Sequence, residues 1–288
     1  MRTRFIINPI SGTGKQNNIE DYISKYFINY DVFYTKEPGH ATSLSKQAIL
    51  DKIDILIVVG GDGTVNECLT PLINTNIALG IIPCGSGNGL ANHIGINSNI
   101  KKALYQMIES KQDLIDVCLV NDKAFINVSG IGFDSHIANL FSKLKKRGLF
   151  SYLLVVIKQL SYSAKNYEIQ HNKITRRIKA FMISCANGSE YGNGVKIAPN
   201  AIINDGLIDF VIVKEFPKWK IPFFVIQLFM GTVNKCEFVE IVRAKSMKIL
   251  SNNTLIHLDG EPYTTNNPIK ISIIKDSLKI LKPYAKKK

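Results

Sequence analysis

Val58-Val59-Gly60-Gly61-Asp62-Gly63-Thr64-Val65-Asn66-Glu67 carries an apolar strand into three glycines and on into a helix. Glycine lets backbone N–H groups come close to a phosphate, and the amino end of the following helix adds a positive dipole. Asp62 is the odd member of such a loop. A carboxylate there repels a phosphate unless it holds a divalent cation or takes the proton of an attacking hydroxyl, so it points to phosphoryl transfer rather than passive binding. The competing reading of Asp62 is a cap on the helix it opens, and taken alone the segment leaves the two evenly matched.

Outward from this segment, short runs of Ile and Val alternate with helical patterns. Strands are expected at 5–8, 32–34, 55–59 and 78–82, with helices at 19–27 and 41–50, the pattern of a doubly wound parallel sheet. In such a sheet the carboxyl ends of the strands form the ligand crevice. Three further turns meet at that edge: Asn8-Pro9-Ile10-Ser11-Gly12-Thr13-Gly14-Lys15, Gly39-His40-Ala41 and Pro83-Cys84-Gly85-Ser86-Gly87-Asn88. Neither 8–15 nor 85–88 has the P-loop spacing, which excludes a Walker-type site. After about residue 113 the pattern changes to strands joined by short polar turns, at 115–120, 124–128, 167–170, 178–186, 208–213, 238–242 and 269–274, with one helix at 149–163. The expected architecture is α/β, with a doubly wound domain over 1–115 and a β-rich, mostly antiparallel sandwich over 116–288, its last residues returning to the first domain.

Composition narrows the partners. The 36 Lys and Arg against 23 Asp and Glu give a net charge of +13, which favours an anionic partner: nucleic acid, nucleotide phosphate or acidic lipid. No nucleic-acid-binding signature accompanies the charge. The apolar run Ile221–Met230 is far shorter than the roughly 20 residues a membrane-spanning helix needs and reads as the lining of an acyl pocket or as core. The amino terminus lacks the apolar run of a signal peptide, so the expected location is the cytoplasm. Five scattered cysteines without a Cys-x-x-Cys pair read as buried thiols rather than a zinc site. Lys143-Leu144-Lys145-Lys146-Arg147, beside Phe141, Leu149 and Phe150, has the make-up of a basic membrane-facing edge and equally of a solvated helix end. Lys15 is evenly a phosphate contact or a surface charge; His40 reads as a turn residue and His257 as a strand residue.

The chain resembles the diacylglycerol kinase catalytic family, which includes bacterial lipid kinases, sphingosine kinases and ceramide kinases. Besides 60–67, the resemblance rests on Asn127-Val128-Ser129-Gly130-Ile131-Gly132-Phe133-Asp134, Ala186-Asn187-Gly188, Ala198-Pro199-Asn200-Ala201, Asp205-Gly206-Leu207-Ile208-Asp209 and Leu258-Asp259-Gly260-Glu261-Pro262. It implies an ATP-dependent lipid kinase with a nucleotide-binding amino-terminal domain, a β-rich carboxy-terminal domain and an active site in the cleft between them. The ATP-binding set it implies is Asn8, Pro9, Ile10, Ser11, Gly12, Thr35, Gly61, Asp62, Gly63, Thr64, Val65, Asn66, Glu67 and Ser86. Asp259 and Glu261 are implied as the catalytic acidic pair, with Asp62 as a further candidate base. A Mg2+ site is implied at Asp205 with the carbonyls of Ile202 and Leu207. Gly89 departs from the family, many of whose bacterial members carry an acid there. The implied partners are a lipid hydroxyl, the anionic inner face of the membrane, to which the protein would bind peripherally, and a second copy in a homodimer.

Asp259 and Glu261 are two residues apart, which puts them on one face if they lie in a strand, whereas Gly260 between them permits a turn. The rival readings are a soluble kinase of the NAD kinase type, which shares a related Gly-Gly-Asp-Gly loop, and a catalytically idle lipid- or nucleic-acid-binding protein supported by charge alone.

Overall fold

The computed structural model describes residues 1–12, 16, 18–144, 148–159 and 161–284. Lys15, residues 145–147 of the basic run and the lysine tail at 286–288 lie outside the described residues. The chain divides into two compact units, one of Met1–Ile115 with the segment from Asp276 onward, the other of Asp116–Lys275.

The first unit runs β1 (Thr3–Ile7), α1 (Ile19–Tyr26), β2 (Tyr30–Tyr34), α2 (His40–Leu50), β3 (Ile55–Gly60), α3 (Asp62–Leu72), β4 (Ala78–Pro83), α4 (Gly89–His93), α5 (Ile100–Ile108) and the opening half of β5 (Ser110–Val120). Its strands lie in the order β2-β1-β3-β4, all parallel, and the end of the chain's last strand runs parallel to β4 with Ile280 opposite Leu79. Every residue of β1, β3 and β4 is buried, as expected of strands covered by helices on both faces, which explains why these segments read as unbroken apolar runs. Arg4 is the charged exception within β1. It is 2% exposed and paired through Nε and Nη2 with Asp31 at 2.7 and 2.9 Å and through Nη2 with Asp51 at 2.8 Å, while its buried Nη1 has no hydrogen-bond partner.

The second unit contains β6 (Lys123–Phe125), β7 (Val128–Gly132), α6 (Phe133–Ser142), α7 (Leu149–Lys158), β8 (Lys165–His171), β9 (Ile174–Ala186), β10 (Ile208–Lys214), α8 (Ile221–Met230), β11 (Val239–Ala244), β12 (Ser246–Leu250), β13 (Leu255–Leu258), β14 (Glu261–Thr264) and the start of β15 (Ile269–Pro283). Its pairings are antiparallel, the second half of β9 lying between β7 and β10 and its first half along β8. Alternation along β9 and β10 divides the side chains between two cores. Ile183, Cys185, Phe210 and Ile212 enter the sandwich interior, while Met182, Ala186, Val211 and Val213 join Phe224 of α8 in a second layer. A strand covered on both faces explains the continuous apolar run of β10.

Both expected architectures are present, a parallel doubly wound sheet and a β-sandwich, with differences in detail. The expected strand at 124–128 is two strands separated by Ile126 and Asn127, whose N–H groups are taken by a side chain instead of a ladder. The single expected helix is three, because α6 and α8 begin inside stretches read as a loop motif and as core. Within Ile221–Met230 only Phe224 is fully buried, which corrects the core reading. The five cysteines are buried and form no disulfide.

Candidate active site

In the first unit, four strand-to-helix turns are fastened to one another by named contacts. Asn8, just past β1, donates from Nδ2 to Thr64 Oγ1 at 2.9 Å, and its own Oδ1 accepts the Ile10 N–H at 3.1 Å. Thr64 is 6% exposed, so its hydroxyl serves this bridge. Gly12 has φ of +68°, and a Cβ there would lie 1.8 Å from the Cys84 carbonyl oxygen, so the first and fourth turns touch through backbone. The third and fourth touch likewise, a Cβ on Gly85 falling 2.5 Å from Gly61 Cα. Ile10, 90% exposed, stands out of the first turn. Thr35 donates its N–H to the Ile7 carbonyl at 2.9 Å, and the Ser86 side chain is exposed.

The acidic members of the loop have structural partners that the sequence did not announce. Asp62 is the first residue of α3, but Gly61 is the cap, and the Asp62 Oδ2 accepts the Asn88 N–H of the neighbouring turn at 2.7 Å. Asn88 in turn locks its own loop, accepting the Gly85 N–H at 2.9 Å and donating to the Gly85 carbonyl at 2.8 Å. The reading of Asp62 as a cap on its own helix is therefore replaced by that of a clamp between turns. Glu67, one to two helical turns further along, accepts the Ala41 N–H at 3.1 Å and so caps α2 from outside, where a carboxylate complements the positive end of the helix. His40 accepts the Lys36 N–H at 3.1 Å, the turn role expected of it.

Gln16 was missed. It is 6% exposed, and its Nε2 reaches the carbonyls of Asn8 at 3.1 Å, Pro9 at 2.7 Å and Ser11 at 3.0 Å, pulling the first turn into a hook. A glutamine outside the glycine-rich stretch gives no sequence signal for this.

In the second unit, β13 and β14 form a hairpin with Leu258 opposite Glu261, and Asp259 and Gly260 make its two-residue turn with φ of 49° and 91°. Two consecutive positive φ values are the geometry for which Asp-Gly is favoured. The turn alternative thus holds, and Asp259 and Glu261 do not share a strand face. The Asp259 carboxylate reaches back to three successive amides, those of Ile126 at 3.0 Å, Asn127 at 2.9 Å and Val128 at 3.0 Å. Glu261 stands exposed at the start of β14. Beneath the turn, His257 is 2% exposed, accepts the Gly260 N–H at Nδ1 over 3.2 Å and holds Nε2 3.1 Å from Asp134 Oδ1. Tyr191 and Ser184 donate to the other Asp134 oxygen at 2.6 and 2.9 Å. Burial works against a charged Asp134, but His257 and these two hydroxyls outweigh it and hold the carboxyl below its ordinary range. A Cβ on Gly130 would lie 2.1 Å from that carboxylate, which accounts for the glycine in β7.

At the sequence-derived metal position, Asp205 Oδ1 accepts the Leu207 N–H at 2.9 Å and its other oxygen pairs with Arg243, which also reaches Asp209 at 3.0 Å. The Gly206 N–H donates to the buried Asp116 at 2.6 Å. Ile202 is 51% exposed. Among the described residues no cluster of three or more His, Cys, Asp or Glu could hold a metal ion.

The chain, with glycine-rich turns in one unit and a clamped acidic hairpin in the other, matches known proteins along nearly its whole length. Residues 2–120 match the diacylglycerol kinase catalytic domain, and residues 127–282 match the YegS C-terminal NAD kinase beta sandwich-like domain. The protein of Chromohalobacter salexigens named "Probable lipid kinase YegS-like" is 31% identical over 81% of this chain and 78% of its own length. The diacylglycerol kinase of Bacillus subtilis is 30% identical over 90% of this chain and 89% of its own length. Among solved structures, a putative diacylglycerol kinase from Bacillus anthracis superposes with a TM-score of 0.82 at 25% identity, covering 98% of this chain and 97% of that one. Both halves of the fold and both sets of motifs carry the same assignment: the chain belongs to the diacylglycerol kinase family of lipid kinases, and it is a phosphotransferase.

Proposed function

We propose that the protein transfers the γ-phosphate of ATP to the hydroxyl of a membrane lipid such as diacylglycerol. The observation that carries this reading is the convergence of four amide-bearing turns, bound to each other through Asn8–Thr64, Asp62–Asn88 and Glu67–Ala41, at the carboxyl edge of a parallel sheet. In this reading Asn8, Pro9, Ile10, Ser11 and Gly12 with Gly61, Gly63 and Ser86 take the triphosphate, and Thr35 and Ile10 border the nucleoside. Thr64, Val65, Asn66 and Glu67 fix the helix that presents the third turn.

The acceptor hydroxyl oxygen attacks the γ-phosphorus, its proton passes to a carboxylate, and ADP leaves with the bond to its β-phosphate oxygen broken. Glu261 is the proposed base because it is exposed, whereas the Asp259 oxygens are occupied by three amides. Asp259 is then a positioning residue, and Asp62 orders the fourth turn.

A Mg2+ ion bound with ATP would neutralise charge developing on the phosphate oxygens. A second, structural ion would be held by Asp205 with the carbonyls of Ile202 and Leu207, an all-oxygen set such as a hard cation takes, in competition with the Arg243 guanidinium. Magnesium should raise the denaturation temperature of the wild type, and raise it further in Arg243→Gln, where the competing guanidinium is gone. Identical melting curves with magnesium and with chelator in both proteins would remove Asp205 from metal binding.

The function is tested with labelled ATP and lipids in mixed micelles: diacylglycerol, monoacylglycerol, phosphatidylglycerol, a sphingoid base and undecaprenol, with NAD as the soluble control. Label on a lipid is expected; label on NAD alone would establish the soluble-kinase reading instead.

A further inference from the structure

Helix α8 wears its apolar side chains on the outside. Phe223, Ile226 and Met230 are spaced three and four residues apart on one face of it, with Trp219 four residues before Phe223 in the short 3-10 turn that leads into the helix, and the four, from Trp219 on, are 67%, 62%, 53% and 69% exposed. Phe224 is buried, its ring tilted against Phe216 and Phe238 at 5.8 and 5.5 Å, so the helix is anchored by a residue that fixes the stripe outward. Helix α7 repeats the arrangement with Phe150, Leu154 and Ile157, 75%, 43% and 59% exposed at spacings of four and three. One chain of rings runs from Tyr162, just past α7, to Phe181 at 5.7 Å, then Phe216 at 5.6 Å and Phe224 of α8 at 5.8 Å. A contiguous exposed stripe of this kind marks an interaction surface rather than scattered surface hydrophobics.

The charges around the stripes select the occupant. Lys218 and Lys235 are exposed at the two ends of α8, and Lys158 and Lys165 flank the carboxyl end of α7. The nearby acids are already used, Glu237 by Lys220 and Glu215 by Lys179. A second copy would set these lysines against their own like on a chain of net charge +13. A surface of anionic headgroups above an apolar layer satisfies both features, with aromatic side chains at the boundary and lysines at the phosphates.

We propose that the outward stripes of α8 and α7 are the surface by which the protein seats on an anionic bilayer, Trp219 lying at headgroup depth. This deepens the lipid-kinase reading and rests on it for the choice of a bilayer as partner. It moves the membrane contact from the basic run at 143–147 to an apolar face bordered by lysines.

Trp219 is the only tryptophan of the chain and reports on its own surroundings. Its emission should shift to shorter wavelength on vesicles of phosphatidylcholine with phosphatidylglycerol, less so on phosphatidylcholine alone, and the shift should weaken with salt. Phe223→Ser with Ile226→Ser, both exposed and so tolerated by the fold, should weaken co-sedimentation with the mixed vesicles at least tenfold, since each buried large apolar side chain accounts for about tenfold or more. Lys218→Glu with Lys235→Glu should weaken it and flatten the salt dependence. Turnover of a monodisperse short-chain diacylglycerol should stay unchanged in all four substitutions. Wild-type vesicle binding by the double serine variant overturns the proposal, as does a monodisperse wild-type dimer that the same variant converts to monomer. Failure of every lipid as phosphoryl acceptor while the stripe still governs vesicle binding would sink the kinase reading and leave the docking surface standing.

Discussion

Glu261→Gln and Asp259→Asn are expected to disable the enzyme in different ways. Glutamine at 261 keeps the shape of an exposed side chain and removes only the site for a proton, so the fold and ATP affinity should persist while kcat falls by roughly 10²- to 10⁴-fold, the usual range for a general base. Asparagine at 259 turns one acceptor oxygen into a donor aimed at amides that are donors already. Three hydrogen bonds to a charged acceptor are then weakened or lost, at about 3 kcal/mol in total, which for a chain of this length corresponds to a fall of roughly 5–10 °C in melting temperature. Measured together, kcat and thermal denaturation separate the two. Wild-type turnover in Glu261→Gln would return Asp62 to the role of base, and an unchanged melting temperature in Asp259→Asn would show that the three amides are satisfied without the charge.

The hairpin also shows where sequence reasoning stops. Asp-Gly is a strong local signal for a tight turn, and the turn is there. Nothing local connects position 259 with the amides of 126–128, more than 130 residues earlier, because that pairing is set by β13 lying beside β7. The same limit hid the network of His257, Asp134, Tyr191 and Ser184, whose members come from two strands, a helix and a loop. The first unit was more legible. Its strands are buried on both faces and announce themselves as apolar runs, and its glycines mark turns whose φ or close approach no other residue tolerates. The roles of Asp62 and Glu67 were less so, because a carboxylate reads the same whether it faces a ligand or ties two turns together. Ile221–Met230 was ambiguous for a related reason. A helix apolar on every side is read as buried, and only the fold reveals that one side chain, Phe224, enters the core.

The nucleotide turns give the second large effect. Gly12→Ala should abolish measurable ATP binding, although alanine is the smallest side chain available and the residue is exposed. At φ of +68° an alanine sits in a region that costs an L-residue about 1–2 kcal/mol, and its Cβ would be 1.8 Å from the Cys84 carbonyl oxygen. That oxygen is backbone, so it cannot rotate away. Cys84 is itself tied by its N–H to the Gly60 carbonyl at 2.8 Å, and moving it drags the third turn with the fourth. One methyl group therefore separates turns that the contacts of Asn8, Gln16 and Asp62 hold together. Gly39→Ala is the matched control, since Gly39 also has positive φ, +83°, but nothing stands within 4 Å of the added carbon. Calorimetry with ATP should show at least a hundredfold weaker binding for Gly12→Ala and a much smaller change for Gly39→Ala, with both proteins folded by circular dichroism. Equal affinities in the two would mean that backbone strain alone, and not the contact between the first and fourth turns, governs the site.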